Sequence, residues 1–508
     1  MEDPQVLLGK LIPRLDQRVR SVRDAEAWYE GEHPIPEPPP NTPAATDREA
    51  QAAYRNMSRL AVTNFLRPIV DVRQRRLNPE GFQFSVSPTT TDSDAWDIYR
   101  RNHLDGDSDL AHHAALKTGQ AFAIVWPGAD GKAEITIEDP SQVIVAYEPG
   151  SRRKRKAALK RWVDDDGYAY VTLYTRTAIY KYRSTTSTTS GLYVEGQALG
   201  SYTWAQRQVA GEQWPLPNPY GVVPVFELRA NPSVKPALYG GGVPEFAGVV
   251  NEQRKINHSM MLMLVAMEHQ SFRQRWVTGW DYPTNPDGTP DKAAMVAAGA
   301  ARLLTLKPYD GQEAALRVGE FAQADFRPFV DINQMLVTSL ASNSGTPPYA
   351  FLLGNLINVA SDAMARLEGI QADALEALAR TFGETWSDVT RFALMVEGNE
   401  KAKDPVITTV WGEFERRTAT EQANLALQAK AAGAPIQVVF SMFPGVDPTQ
   451  AKRWKTEAIA DELRAASVAP VQDAQQQGIA PTNTIDTRGI TAAQAAALVK
   501  RSGGANAG

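Results

Sequence analysis

The pattern of apolar and polar positions predicts three helices, the last two separated by a stretch without a helical period. The first runs from Pro244 to Glu268, where apolar residues recur near every 3.6 residues and proline suits the first position. The second begins at Asp325, a capping residue, and breaks at Asn343, because a glycine and two prolines follow. The third runs from Val359 to Glu397 and ends at Gly398.

Two features of these helices are unusual. The run Met260 to Met267 is apolar on every side of its helix, so it packs either deep in one core or against neighbouring copies. The uncharged run Ile256 to Met267 is too short for a bilayer span, which needs about 20 residues. The interruption from Asn343 to Asn358 is long for a compact domain, and such loops are often functional. The alternative is a loop that folds back into the core.

The chain before Gly240 mixes helical and alternating patterns, which predicts an α+β domain. Its predicted helices are Gln5–Glu30, Asp47–Leu77 with an interruption near Pro68, Asp94–His103 and Leu110–Thr118. Its predicted strands include Gly81–Ser87, the segment AFAIVW, the series ALKRWV, YAYVTLYT and AIYKYR, and Gly221–Leu228. After Gly398 we expect the strand PVITTVW and the helix Ala419–Ala432, and from Ser467 a tail with few large apolar residues that is typical of disorder.

Composition narrows the function classes. The chain has 508 residues, 43% of them hydrophobic and 22% charged, which is typical of a folded soluble protein. It contains no cysteine, so disulfides and thiolate chemistry are excluded. The start shows no signal-peptide pattern and no transmembrane run is present, so we expect assembly in the cytoplasm. The net charge is −5, whereas a protein that grips DNA tightly is normally basic.

Two charge clusters stand out within the α+β part. The basic run Arg152–Lys156 could contact nucleic acid or a partner, and the alternative is a solvated hairpin. Asp164, Asp165 and Asp166 could hold a cation, but they lack the ligand spacing of a calcium loop and also suit a plain turn.

No catalytic, cofactor or metal motif emerges from the sequence. GADGKA has the wrong spacing for a phosphate-binding loop, and the patterns GxSxG and HExxH are absent. His112 and His113 are adjacent and would point about 100° apart on a helix, so they cannot easily share one metal ion. We therefore expect no catalytic residue, no cofactor and no metal.

Five segments in order resemble the portal proteins of tailed bacteriophages, in the branch common among long-tailed phages. The resemblance extends from about Leu8 to Leu463. Its segments are RLAVTNFLRPIVDVRQRRLNPEGF (59–82), IYRRNHLDGDSDLAHHAALKTGQAFAIVW (98–126), ITIEDPSQVIVAYEP (135–149), NPYGVVPVFELRANP (218–232) and SDAMARLEGIQADALEALARTFGETW (361–386).

The resemblance implies a mainly helical α+β portal fold with wing, stem, clip and crown regions, assembled as a ring of twelve copies. The implied regions are the N-terminal wing 1–243, stem helix 1 at 244–269, clip 270–324, stem helix 2 at 325–342, tunnel loop 343–358, long wing helix and return strand 359–418, and crown 419–468. The tail 469–508 lies beyond the resemblance, and its composition predicts disorder. The stem helices would line the channel, and the loop would point into it.

The resemblance also implies function, partners and sites. The ring would be the DNA channel at one capsid vertex of the virion, without enzymatic activity of its own. Its partners would be the large terminase subunit, the major capsid and scaffolding proteins, a head-completion adaptor of the neck, and double-stranded DNA in weak, non-specific contact. The channel residues would be Asn343, Thr346, Tyr349, Phe351, Leu353, Asn355 and Asn358, and the clip docking residues Phe272, Arg273, Arg275, Trp276, Trp280 and Tyr282.

Two other classes compete with this interpretation. One is a capsid-associated enzyme of the phage head, which an activity assay would reveal. The other is a structural adaptor that forms no ring, which the molar mass in solution would separate from a portal.

Overall fold

The computed structural model of this chain divides it into two compact units, Met1–Thr418 and Ala419–Gly508. The residues that it describes are 3–38, 40, 43–85, 91–187, 202–233, 242–271, 275–278, 285–287, 289, 303–306, 317–320, 325–351, 361–414, 419–434, 436–441 and 453–460.

Helices make up most of the described chain. In the larger unit they are α1 (Pro4–Glu30), α2 (Pro43–Thr46), α3 (Arg48–Leu60), α4 (Leu66–Gln74), α5 (Ser93–Arg101), α6 (Leu104–Thr118), α7 (Val250–Ser271), α8 (Arg327–Ser344) and α9 (Ser361–Val396). Short 3₁₀ turns occupy Ala247–Val249, Pro348–Phe351 and Glu400–Lys403.

The strands of the described residues belong to four sheets. They are β1 (Pro79–Phe84), β2 (Gln120–Pro127), β3 (Ala133–Glu138), β4 (Val143–Tyr147), β5 (Arg155–Val163), β6 (Ala169–Thr175), β7 (Ala178–Ser184), β8 (Trp204–Gln206), β9 (Leu216–Pro217), β10 (Val225–Arg229), β11 (Arg275–Thr278), β12 (Leu303–Leu306), β13 (Arg317–Glu320) and β14 (Ile407–Trp411). Their orders are β1-β14, β10-β2-β3, β12-β11-β13 and β4-β5-β6-β7-β8, with β9 also pairing with β7. The mixture of helices and antiparallel sheets confirms the α+β class.

One core joins the long helix α9 to the β2 and β14 sheets. Phe382 and Trp386 of α9 are fully buried, as is Phe82 of β1. Gly383 lets β14 approach α9 closely, because an added Cβ there would lie 3.1 Å from the Trp411 ring nitrogen. One face of the β4–β8 sheet packs on α1, and Leu11 and Leu15 of this helix are buried in the contact.

Most helix predictions are confirmed within a few residues, and three are corrected. The break between α3 and α4 lies at 61–65, whereas Pro68 sits inside α4, where the first turn has no partner for its missing N–H. The helix predicted from Leu110 begins at Leu104 instead. The helix predicted from Pro244 begins as a 3₁₀ turn, and the α-helix proper starts at Val250.

The smaller unit is helical where it is described. It contains α10 (Ala419–Ala431), α11 (Ile436–Ser441) and a helix at 453–460. The first of these ends one residue before the predicted end at Ala432, and Gly433 follows at φ +83°. Phe440 and Trp454 stack edge to face, with ring centroids 5.7 Å apart. The predicted tail 469–508 lies outside the described residues.

Candidate channel helices and the root of the intervening loop

The start of α7 is fixed against the β2 sheet by two glycines. A Cβ at Gly242 would lie 1.8 Å from the carbonyl oxygen of Gly119, so only glycine fits there. The backbone N–H of Glu245 donates to the carbonyl of Leu116 at 2.9 Å, and Val243 donates to Ala230 at the same distance. The first candidate channel helix therefore leaves the α+β region from a defined point.

A polar network then attaches α7 to the turn between α3 and α4. Gln253 is fully buried, accepts from the Phe65 N–H at 3.0 Å and donates to the Thr63 carbonyl at 2.6 Å. It also donates to Asn257 at 2.8 Å, and Asn257 donates to His33 at 2.7 Å. A buried amide is tolerated only when its donors and acceptors are used, so this network fixes the orientation of α7.

Farther along, both helices carry apolar side chains that one chain leaves in solvent. α7 and α8 pack against each other. The side chain of Met335 is 63% exposed, that of Val330 56% and that of Met267 48%. Leu262 and Ile332 on the same two helices are also exposed. The predicted burial of the run Met260–Met267 in a core of the same chain is therefore wrong for Leu262 and Met267. The second alternative, cover by neighbouring copies, stays a prediction.

Arg73 joins the segment that leads into α7 to the end of α8. Its guanidinium forms an ion pair with Glu245 and donates to the carbonyl of Ser344. Only 3% of the Arg73 side chain and 10% of that of Glu245 are exposed. Burial lowers the pKa of Arg73 to about 10, so the arginine stays charged at neutral pH. Since a buried charge needs its partner, this pair fixes the spacing of the two helix ends.

The segment after α8 is anchored in the protein rather than free. Gly345 ends α8 in the left-handed conformation, at φ +62°, and the next residue, Thr346, is 3% exposed. Tyr349 donates its hydroxyl to Glu368 of α9 at 2.6 Å, and Arg76 lies 3.5 Å from the same carboxylate. Burial, followed by this hydrogen bond, raises the pKa of Tyr349, so the phenol remains a donor.

Phe351 completes the anchor. Its side chain is 7% exposed and packs edge to face on Phe65, with ring centroids 6.1 Å apart. We call residues 345–351 the loop root. Tyr349 is half-buried, and an aromatic ring whose hydroxyl has a carboxylate partner can be buried in part at little cost.

The remaining predicted channel residues fall in two places. Asn343 belongs to the last turn of α8, not to the loop, and is exposed near Glu252, with amide nitrogen and carboxylate oxygen 3.5 Å apart. Leu353, Asn355 and Asn358 lie outside the described residues. The root therefore contains Thr346, Tyr349 and Phe351 alone among the predicted channel residues.

The predicted clip contains a three-stranded sheet. β11 is its central strand, parallel to β12 and antiparallel to β13, and Trp276 lies opposite Leu304 and Gly319. Arg275 opens the same strand. Phe272, Arg273, Trp280 and Tyr282 lie outside the described residues.

The two histidines diverge as predicted. His112 is fully buried and accepts from the Trp386 indole N–H at 2.8 Å, whereas His113 lies 2.9 Å from the Tyr29 hydroxyl. Burial lowers the pKa of His112 to about 3, so the ring is neutral. Within the described ranges, no group of three or more potential metal-ligating side chains occurs, and no helix has the length and apolarity of a membrane span.

Sequence reasoning missed the residues that hold the root. Arg73, Arg76, Glu245 and Glu368 are ordinary charged residues in helical or loop patterns, and their partners are distant in sequence. Gln253 gave no signal apart from being a polar residue on an otherwise apolar helix face. Only a structure brings these pairs together.

The larger unit thus combines an α+β body, two paired helices with exposed apolar side chains, and a loop root held between the second of these helices and α9. A family model for "Phage portal protein, SPP1 Gp6-like" matches residues 8–462. The chain belongs to this family of phage portal proteins. Its function is therefore that of a portal, the DNA conduit of the phage head and its connection to the tail. Among curated proteins, none matches the chain.

Proposed function

We propose that twelve copies of this chain form a closed ring at one capsid vertex of the virion, after assembly in the host cytoplasm. The main support is the set of apolar side chains that one chain leaves exposed on α7 and α8. Uncovered apolar surface of this kind is typical of an interface, and repeated identical contacts close into rings. Native mass spectrometry tests this directly: a single species of about twelve subunits is expected, and a monomer at every protein and salt concentration would contradict it.

Within that ring, the regions keep the roles that the family resemblance implies. Residues 1–243 form the wing, 244–269 and 325–342 the stem, 270–324 the clip, 359–418 the long wing helix and return strand, and 419–468 the crown. α9, with 36 residues, would reach about 54 Å from the loop into the wing.

Within the predicted tunnel loop, 343–358, the residues that contact DNA in transit are those that follow the loop root. The support is the loop root: Thr346 and Phe351 are buried and Tyr349 is held by Glu368, so these side chains are occupied within the chain. Replacing 353–358 with a glycine–serine segment of equal length should leave rings and heads intact but reduce DNA filling or retention. The exchange Asn343→Ser, at the end of α8, is the matched control. Normal packaging by the replaced loop would show that it is structural only.

The clip docks the large terminase subunit and later the head-completion adaptor. The support is sequence composition, since Phe272, Trp276, Trp280 and Tyr282 are more aromatic than a connector needs and aromatic residues anchor interfaces. Trp276→Ala with Trp280→Ala should preserve rings and weaken terminase binding in calorimetry. Trp454→Ala in the crown is a control for the loss of an aromatic ring. Unchanged terminase affinity would refute this assignment.

DNA in transit is bound weakly and without sequence preference. Lys and Arg number 53 against 58 Asp and Glu, so the surface offers phosphate no overall attraction. A conduit must let the duplex slide, and a grip through many lysine–phosphate contacts would weaken steeply with salt. Fluorescence titration with a short duplex should give a Kd near ~10⁻⁴ M at physiological salt. Nanomolar binding with a steep salt slope would overturn the proposal.

The ring itself catalyses no reaction. Packaging energy comes from the terminase, and the ring contacts the major capsid and scaffolding proteins at its vertex. Purified rings should therefore hydrolyse neither ATP nor DNA.

A further inference from the structure

A charged groove of about 840 Å³ lies in the larger unit between α9, the turn joining β4 to β5, and the strands β10 and β14. Six arginines and four carboxylates line it. The basic run of the sequence supplies Arg152, Arg153 and Arg155 to this lining, and its residues 152–154 are exposed in the turn between β4 and β5, as expected of a solvated hairpin. None of the roles proposed above uses the groove.

Some of the groove charges are already paired. The Glu227 side chain is 3% exposed, accepts from the Tyr147 hydroxyl at 2.6 Å and pairs with Arg229 at 2.7 Å. The guanidinium of Arg155 lies over the Phe226 ring, 4.0 Å from its centroid. In the part of the chain that the structure describes, Arg155 has no carboxylate within ion-pair distance.

Two further arginines are available at the groove rim. Arg153 reaches Glu384 only at 3.5 Å, with both side chains mostly exposed, and such a surface pair contributes little. Arg380 of α9 is exposed and, among the described residues, forms no ion pair. The groove thus offers guanidinium groups that an incoming acceptor could bind.

The groove chemistry selects the class of ligand. The planar guanidinium fork matches a carboxylate or a phosphate. Because four carboxylates stand among the arginines, a long polyphosphate would meet repulsion along the groove. A short protein segment with one or two carboxylates could pair with the arginines of the groove and avoid most of the repulsion from its carboxylates.

This chain carries such a segment at the other end of β5. In the turn between β5 and β6, Asp164 accepts from the Tyr168 N–H at 2.7 Å and holds the turn, whereas Asp165 and Asp166 are exposed. β5 has nine residues, so the turn lies roughly 30 Å from the arginine end of the strand. The two aspartates therefore cannot reach the groove of their own chain.

We propose that Asp165 and Asp166 of one copy bind the arginine groove of the next copy in the ring. Opposite charges at opposite ends of one strand give a head-to-tail contact, and such heterologous contacts generate rings when the rotation closes. This inference rests on the proposed ring and adds one of its contacts.

Charge exchange tests the contact. Asp165→Arg with Asp166→Arg, and separately Arg153→Glu with Arg380→Glu, should each raise the protein concentration at which rings dissociate at least tenfold in mass photometry. The variant with all four exchanges should recover most of the wild-type value, because the charges again match. Lys154→Glu changes the charge of an exposed turn residue that does not line the groove, and it should have no effect.

The absence of cysteine allows a second, direct test. With Asp166→Cys and Arg380→Cys in one chain, oxidation should give a ladder of covalent multimers, whereas Asp130→Cys with Arg380→Cys should not. If the wild type forms no ring, the proposed function fails. If it forms rings but the charge exchanges are neutral and no ladder appears, this inference alone is wrong. If Arg153→Glu with Arg380→Glu weakens duplex binding and leaves ring dissociation unchanged, the groove binds phosphate and the proposal is overturned.

Discussion

The core around α9 and the helices α7 and α8 are similarly rich in apolar residues, but only the core is completed by its own chain. Trp386 is fully buried, and its indole N–H donates to His112. In contrast, Met335 and Val330 on α8 are more than half exposed. The comparison indicates that one chain completes the core around α9 but leaves part of α7 and α8 uncovered, and we propose that other copies cover that part. Four variants, from the largest expected effect to the smallest, test that division.

Met335→Glu should abolish ring formation and leave the monomer folded. A charge buried at every subunit contact costs several kcal/mol per copy, so we expect the ring population to fall by more than about tenfold. Native mass spectrometry measures the ring, and circular dichroism measures the fold. Gln334→Glu, at an exposed polar position of the same helix, should still form rings. Intact rings with Met335→Glu would show that this side of α8 is not an interface.

Arg73→Met should destabilise the junction between the core and the projecting helices. It leaves Glu245 buried without its partner, which costs about 3–5 kcal/mol. Thermal unfolding followed by circular dichroism should show a clearly lower midpoint. The double variant Arg73→Met with Glu245→Met removes both charges and should recover part of the loss. An unchanged midpoint for the single variant would mean that the pair contributes no net stability.

The core should lose stability as the pH falls below neutrality because of His112. Its pKa is about 3 in the folded chain and about 6.5 when unfolded, so the unfolded state binds the proton. The stabilisation is complete above pH 6.5 and is lost toward pH 3; between pH 7 and pH 5 the loss is about 2 kcal/mol. Denaturant unfolding at both pH values should show a smaller difference for His112→Gln. Equal differences would exclude this histidine as the cause.

Tyr349→Phe should loosen the loop root with the smallest effect on stability. It removes one hydrogen bond to Glu368 and leaves the ring in place, a loss of about 1 kcal/mol. Hydrogen exchange should become faster in 345–351 while the core around Trp386 is unaffected. Thr338→Ser, on an exposed position of α8, serves as the control. If exchange in the root does not change, Phe351 alone holds it.

Much of the fold follows from local pattern. β5, β6 and β7 alternate and are separated by turn residues, and α9 has a helical period over almost its whole length, so both appear as predicted. The position of the break near Pro68 was not predictable by the same logic, because proline is tolerated in a first turn as well as in a break. The pattern also indicates apolar faces without indicating whether one chain or several cover them.

The candidate site was harder to predict than the fold. The sequence around Tyr349 does not indicate its partner Glu368, which belongs to a different element. Arg73 pairs with Glu245, which lies 172 positions later in the sequence. Such pairings depend on how the helices pack against one another, and a single sequence does not predict that packing.

The position of two arginines at the end of α4 has a mechanical consequence. Arg73 connects the base of α7 to the tip of α8, and Arg76 connects the loop root to α9. A pull along either projecting helix would be shared through these guanidinium groups with the long helix, instead of stretching the backbone at Gly345. We therefore expect a force along α7 or α8 to break the ion pairs of Arg73 and Arg76 before it extends the backbone at Gly345.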